Sequence, residues 1–117
     1  MSDDADGITL ESDPQGQQYV LRDGDKLIGQ LAYAPYGPDG TVRVLYHTEV
    51  DKEYGGRGLA ARLAAVALDD AVAQGLTIVP WCPYIRAYVG KHPQYGPHVA
   101  PVTAEYRSVV PEEYWEA

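Results

Sequence analysis

The segment Glu53-Tyr54-Gly55-Gly56-Arg57-Gly58-Leu59-Ala60 sets three glycines and an arginine directly before an alanine-rich run that reaches Gln74. Glycine tolerates positive φ and carries no Cβ, so a ligand can approach the main chain closely. The first turn of a following helix leaves N–H groups unpaired, and the aligned peptide dipoles add about half a positive charge there. The chemistry offered is capture of an anion, above all a phosphate or pyrophosphate, with Arg57 as an added cation. The same glycines could also make a plain strand-to-helix turn. Upstream, His47 and Glu49 stand one strand period apart and share a face if no bulge intervenes. Histidine suits a general base near neutral pH. A strand histidine satisfied by a neighbour, and a glutamate solvated at a strand end, are the plainer alternatives.

The elements that must position these groups are legible in outline. Tyr19 to Arg22 reads as a short strand, Asp23-Gly24-Asp25 as a turn, and Leu27 to Ala34 as a second strand. Gly29 inside it marks a bulge or a close backbone approach. Gly37-Pro38-Asp39-Gly40 is a turn. Thr41 to Val50 has β-branched and aromatic composition. Strict alternation would put Val42, Val44 and Tyr46 on one face, with Arg43, Leu45 and His47 on the other. These three strands fit an antiparallel meander. A helix is expected over Leu59–Gln74, with Leu59, Leu63 and Val66 on one buried stripe and Gly75 just past its end. Leu76 to Val79 then reads as a strand parallel to the third, reached through a right-handed crossover. Pro83 suits the first turn of a short helix over Tyr84–Lys91, and Pro93 blocks its continuation.

The chain has 117 residues, enough for one domain with a sizeable core. It divides into a frayed acidic N-terminus over 1–7, a folded unit over 8–95, and an extension over 96–117 that docks on the domain or on a partner. No apolar run approaches the ~20 residues of a membrane helix. No basic-then-apolar leader opens the chain. The one cysteine, Cys82, cannot form an internal disulfide, which points to a reducing, cytoplasmic setting. The net charge of −8 argues against broad nucleic-acid binding. Yet Lys52, Arg57, Arg62, Arg86 and Lys91, five of the nine cationic residues, flank the glycine loop or follow the next strand. That distribution is consistent with a local anion site.

The order of elements, together with His47-Thr48-Glu49-Val50, Gly55 to Ala60, Val79-Pro80-Trp81-Cys82-Pro83-Tyr84 and Lys91-His92-Pro93-Gln94-Tyr95, resembles the GNAT acetyltransferases from about Tyr19 to Tyr95. It is most similar to their minimal single-domain members. The resemblance implies a mixed α/β (α+β) fold of GNAT type, in which an antiparallel meander joins a parallel strand through a crossover helix. It implies an N-acetyltransferase that takes an acetyl group from acetyl-CoA to an amine. The acceptor would be a small molecule, a protein or peptide lysine, or an N-terminus. It implies that Gly55, Gly56, Arg57, Gly58, Leu59 and Ala60 cradle the pyrophosphate. Gly55 stands where the family usually has Arg or Gln, so that side-chain contact is absent. The third and last strands would splay apart. The backbone of Glu49 and Val50 would then pair with the pantetheine arm and polarise the thioester, a contribution worth ~3 kcal/mol when one such donor is removed.

The resemblance also makes Cys82 and His47 the active-site pair. Cys82 would protonate the leaving thiolate or carry the acetyl group in a covalent relay; on its own it would read as a buried apolar cysteine. Tyr88 occupies the helix where related enzymes place a tyrosine acid, though Tyr84 and Tyr88 also fit plain packing. Glu49, on the same strand before the loop, is a further catalytic candidate. Lys91 and Arg86 could meet the cofactor's phosphates. Gly56-Arg57-Gly58-Leu59-Ala60-Ala61 also satisfies a dinucleotide fingerprint, but no acidic residue ends the next strand. His47, Cys82, His92 and His98 lack paired metal spacing, so no metal is expected. The rival class is a CoA or acyl-CoA binding sensor or interaction module without turnover. The chain is expected to be a monomer or a homodimer.

Overall fold

A computed structural model describes residues 7–116. Residues 1–6, the bulk of the acidic stretch expected to fray, lie outside the described residues, as does residue 117. A five-stranded sheet runs β1 (Ile8–Asp13), β2 (Gln18–Asp23), β3 (Lys26–Tyr36), β4 (Val42–Val50) and β5 (Thr77–Pro80), in that spatial order. The first four strands are antiparallel, and β5 lies parallel to β4. The crossover carries helix α1 (Leu59–Ala73), and α2 (Pro83–Lys91) follows β5. Strand β1 extends the expected meander by one member. Its Ile8 and Leu10 are buried, while Glu11 is exposed. The sheet order, with one parallel pair at its end, is that of the expected mixed α/β fold.

Helix α1 lies on one face of the sheet. Leu59, Leu63, Ala64, Ala67, Leu68 and Ala71 are buried against Leu10, Leu21, Leu31, Leu45 and Ile78. Val66, expected on the stripe, is only partly buried. The helix ends as the sequence predicts. Gly75 has φ +73°, its N–H donates to Val72 O at 3.0 Å, and Leu76 N–H donates to Ala71 O at 2.9 Å. This paired closure satisfies two carbonyls that a helix end otherwise leaves open. Polar ties fix α1 over the sheet. The Tyr19 hydroxyl donates to the Asp70 carboxylate, and Arg43 Nη1 donates to Tyr19 Oη at 3.0 Å. Arg43 Nη1 also lies 3.7 Å from Asp70 Oδ2.

The opposite face is covered by the C-terminal segment. Short 3-10 turns at Ala104–Val109 and Glu112–Tyr114 bring Tyr106 and Val110 onto Val44, Val79 and Trp81. Tyr36 and Tyr106 meet edge to face at 4.8 Å, and Trp81 Nε1 donates to Tyr114 O at 2.7 Å. The extension therefore packs on its own domain.

Two bulges reset the faces. One falls where Leu21 pairs Gly29 and Arg22 pairs Leu27, so Ile28 is the extra residue. Gly29 next to it is also a close approach. A Cβ there would meet Leu21 Cδ1 at 3.0 Å and Glu49 O at 3.1 Å. The second falls where Ala32 pairs His47 and Tyr33 pairs Leu45, leaving Tyr46 extra in β4. An inserted residue reverses the alternation beyond it. Arg43 and Leu45 face α1, as expected, but His47 does not join them. It lies beside Tyr46 on the C-terminal-segment face.

Candidate functional site

Strand β4 is paired on both edges only in its first half. Its ladder with β5 runs from Val42↔Thr77 to Leu45↔Pro80, and Cys82 N–H makes a last bond to Leu45 O at 2.9 Å. Proline at position 80 has no N–H to extend the ladder. From Tyr46 to Val50, β4 continues against β3 alone among the described residues. Asp51 N–H donates to Ile28 O at 2.8 Å, so Asp51 and, by alternation, Glu49 direct their main-chain groups at β3. The main-chain groups of Thr48 and Val50 therefore face the open edge. Of the expected pair Glu49 and Val50, the open edge holds Val50, with Thr48 as its companion.

The open edge leads into the glycine loop. A 3-10 turn over Lys52–Tyr54 ends at Gly55, whose N–H is used by Lys52 O at 3.1 Å. Gly56 and Gly58 then take φ of +80° and +73°. Gly58 caps α1 without any side-chain hydrogen bond, and its carbonyl receives Arg62 N–H at 3.1 Å. Among the described residues, no hydrogen bond to protein occupies the N–H groups of Gly56 to Ala61. A Cβ at Gly56 or Gly58 would meet nothing within 4 Å, so the space before these amides is open. Arg57 sits with its guanidinium 5.1 Å from the Tyr54 ring centre, and Lys26 Nζ lies 5.6 Å from the same ring. The Tyr54 hydroxyl donates to Asp23 Oδ2 at 2.6 Å, a bond that pushes its pKa up and anchors this platform. Leu59 is buried and holds the first turn to the core; Ala60 is half-buried.

The expected catalytic side chains flank the open edge on different sides. Cys82 is the N-cap of α2, 5% exposed, with its Sγ 3.5 Å from Thr48 Oγ1. Thr48 points to the α1 side. On the other side, His47 Nε2 and Glu49 Oε1 are 2.8 Å apart, and the His47 ring stacks on Tyr114 at 4.4 Å and 25°. A carboxylate only accepts, so Nε2 carries the proton in neutral His47 and Nδ1 holds the free lone pair. Cys82 and His47 thus keep separate partners, Thr48 and Glu49. Tyr88 stacks on His92 at 3.9 Å and 14°, within 6.4 Å of Tyr95 and 6.3 Å of Tyr84. Burial, then the neighbouring Tyr88 and Cys82, raise the pKa of Tyr84. Lys91 is exposed in the last turn of α2, where a cation suits the helix dipole. Arg86 is engaged elsewhere: its Nη2 donates to Trp81 O at 2.7 Å, tying α2 to the end of β5.

Two contacts here have no signal in the sequence, although Tyr114 belongs to the tail expected to dock. Thr48 sits inside a quoted motif and is found only through the bulge that turns it to Cys82. Tyr114 lies 67 positions from His47, and nothing local connects them. No helix among the described residues is long and apolar enough to cross a membrane.

Comparison with known proteins bears on the family and the fold. The model of the GCN5-related N-acetyl-transferase family matches residues 18–99. Protein NATD1 of Gallus gallus is 37% identical over 97 residues, covering 80% of this chain and 86% of that protein. Protein NATD1 of Homo sapiens is 37% identical over 87 residues, covering 74% and 75%. Among solved structures, a GCN5-like protein from Staphylococcus aureus, determined by NMR, superposes with a TM-score of 0.62. It is 17% identical, covering 86% of this chain and 95% of that one, and shares the fold. The chain belongs to the GCN5-related N-acetyltransferase family.

Proposed function

We propose that the protein transfers an acetyl group from acetyl-CoA to an amine. The observation that carries this reading is the run of N–H groups from Gly56 to Ala61, without protein acceptors among the described residues and continuous with the open edge of β4. Unpaired amides at a helix N-terminus fit a pyrophosphate. A half-paired strand edge fits an extended, amide-bearing arm, because it offers donors and acceptors in register. Acetyl-CoA supplies both groups and an activated acetyl thioester. The chain's own residues would do the rest. Main-chain N–H groups at the open edge, at Thr48 or Val50, polarise the reacting carbonyl. His47, its Nε2 proton fixed by Glu49, takes a proton from the amine at Nδ1. Cys82 returns a proton to the departing thiolate. Base and acid then stand on opposite faces of one strand edge. A reducing, cytoplasmic setting suits a free thiol at Cys82.

Calorimetric titration with acetyl-CoA and CoA tests the cradle. Release of free thiol from acetyl-CoA, with small amines and lysine peptides as acceptors, tests turnover. Binding of both with no thiol release across the panel would establish a binding module in place of an enzyme. No binding of either would remove the cradle and the reading with it.

A further inference from the structure

We propose that the C-terminal segment completes the catalytic centre, with Tyr114 as a positioning residue for the His47 imidazole. This rests on His47 acting as the base. The imidazole is held twice. In its plane, Nε2 is bonded to Glu49 Oε1 at 2.8 Å. Across its face, the Tyr114 ring lies 4.4 Å away at 25°. One hydrogen bond lets a ring pivot about the bond axis; a stacked neighbour removes that pivot. A base gains most when its lone pair is already aimed, so the stack bears on turnover as well as on packing.

The stack is built in from the sheet side. Trp81 donates from Nε1 to Tyr114 O at 2.7 Å and is buried with Val44 and Val79. Trp81 directly precedes Cys82. One indole thus links the residue behind the base to the residue before the acid. Tyr46, the bulged residue of β4, also meets Tyr114, with the ring centroids 5.5 Å apart and tilted by 39°. The charged groups around this phenol are Glu113 and Glu49, with Tyr46 as a further titratable neighbour. Burial first, then the Glu113 carboxylate, raises the Tyr114 pKa, so the ring stays neutral while a histidine titrates. The family match ends at Val99. The contact therefore comes from a part of the chain outside the shared unit.

The test uses Tyr114→Ala, Tyr114→Phe and, as reference, His47→Ala in the full chain. Thiol release from acetyl-CoA is followed with spermine and with a lysine-containing peptide as probes. His47 ring protons are followed by NMR from pH 5 to 9. Tyr114→Ala is expected to lower kcat about tenfold, a part of the ~10²–10⁴ that a positioned base supplies. The KM for acetyl-CoA should stay unchanged. The same variant should lose the upfield ring-current shift of the His47 protons. Tyr114→Phe keeps the ring and should restore both readouts. Full kcat in Tyr114→Ala, with His47→Ala impaired, overturns the proposal alone. Full activity in His47→Ala removes the base assignment and the proposal together. If neither probe turns over, unchanged His47 shifts and titration in Tyr114→Ala still overturn it.

Discussion

The two halves of β4 are consecutive stretches of one strand with opposite fates. Val42 to Leu45 is bonded to β3 on one edge and β5 on the other, and Val44 and Leu45 are fully buried on opposite faces. Tyr46 to Val50 keeps β3 but, among the described residues, has no strand on its other edge, and it presents His47, Thr48 and Glu49. Two local events separate them: the extra residue at Tyr46 and the end of β5 at a proline. In the first half both edges of the strand are paired into the sheet. In the second half a row of polar main-chain groups is left over. A binding edge here is the by-product of a ladder that stops early, and the side chains around it are polar because water or a ligand must meet that edge.

The sharpest way to break the contrast is Cys82→Ala, beside the open half. It should lower turnover by ~10²–10⁴ if Cys82 is the acid. The thermal midpoint should move by only a few degrees. Equal turnover at saturating acetyl-CoA would take Cys82 out of the mechanism. Leu45→Ala, in the closed half, should do the reverse. Removal of a buried leucine side chain costs about 2–5 kcal/mol, readable by urea denaturation. The folded fraction should still bind acetyl-CoA; lost affinity there would mean the halves are not separable.

A smaller effect is expected at the loop. Gly58→Asp should weaken acetyl-CoA binding about tenfold or more by calorimetry. No described atom blocks a Cβ at this position, and aspartate is among the residues that visit the left-handed region, so the effect rests mainly on charge repulsion. Gly58→Asn tolerates the same backbone without the charge. If it binds as poorly as the aspartate, repulsion is not the cause and the anion assignment weakens.

The smallest effect concerns Arg43, in the closed half, through its partner Asp70. Burial opposes ionisation of Asp70, but the Tyr19 hydroxyl, Gln74 amide and Arg43 together hold its pKa below the usual carboxylate value. Such a group stabilises the fold above its unfolded pKa, near 3.9, and the contribution is lost as pH falls through the lower folded value. Asp70→Asn should therefore lose stability at neutral pH and converge on the parent once the pH falls below the lowered folded-state pKa. Solvent screening of this partly exposed pair keeps the charge contribution below ~1 kcal/mol. Parallel acid-denaturation curves would contradict it.

Elements with local signatures were legible in the sequence. Gly75 announces the end of α1, Pro83 the start of α2, and Gly29 both a bulge and a close approach. Strand β1 has only a weak signature, although Ile8 and Leu10 alternate with Thr9 and Glu11. Four of its six residues are acids or hydroxyls, and they abut an acidic terminus, which hides the period. The bulge at Tyr46 has no glycine to mark it. It is set by how β4 pairs with β3, and it alone moves His47 across the sheet. The glycine loop was readable because its geometry is intrinsic to glycine. The stack of Tyr114 on His47 was not, because it depends on where a distant segment comes to rest.

The early end of β5 has a metric consequence. Five residues of β4 remain beyond Leu45, a run of about 16 Å at the usual strand rise. One end of that run opens onto the amides at Gly56, and the other lies at Cys82. A slot bounded at both ends works as a ruler. It would grade acyl donors by the length of the tether between their anionic head and their reactive tip, before any pocket for the acyl group itself came into play.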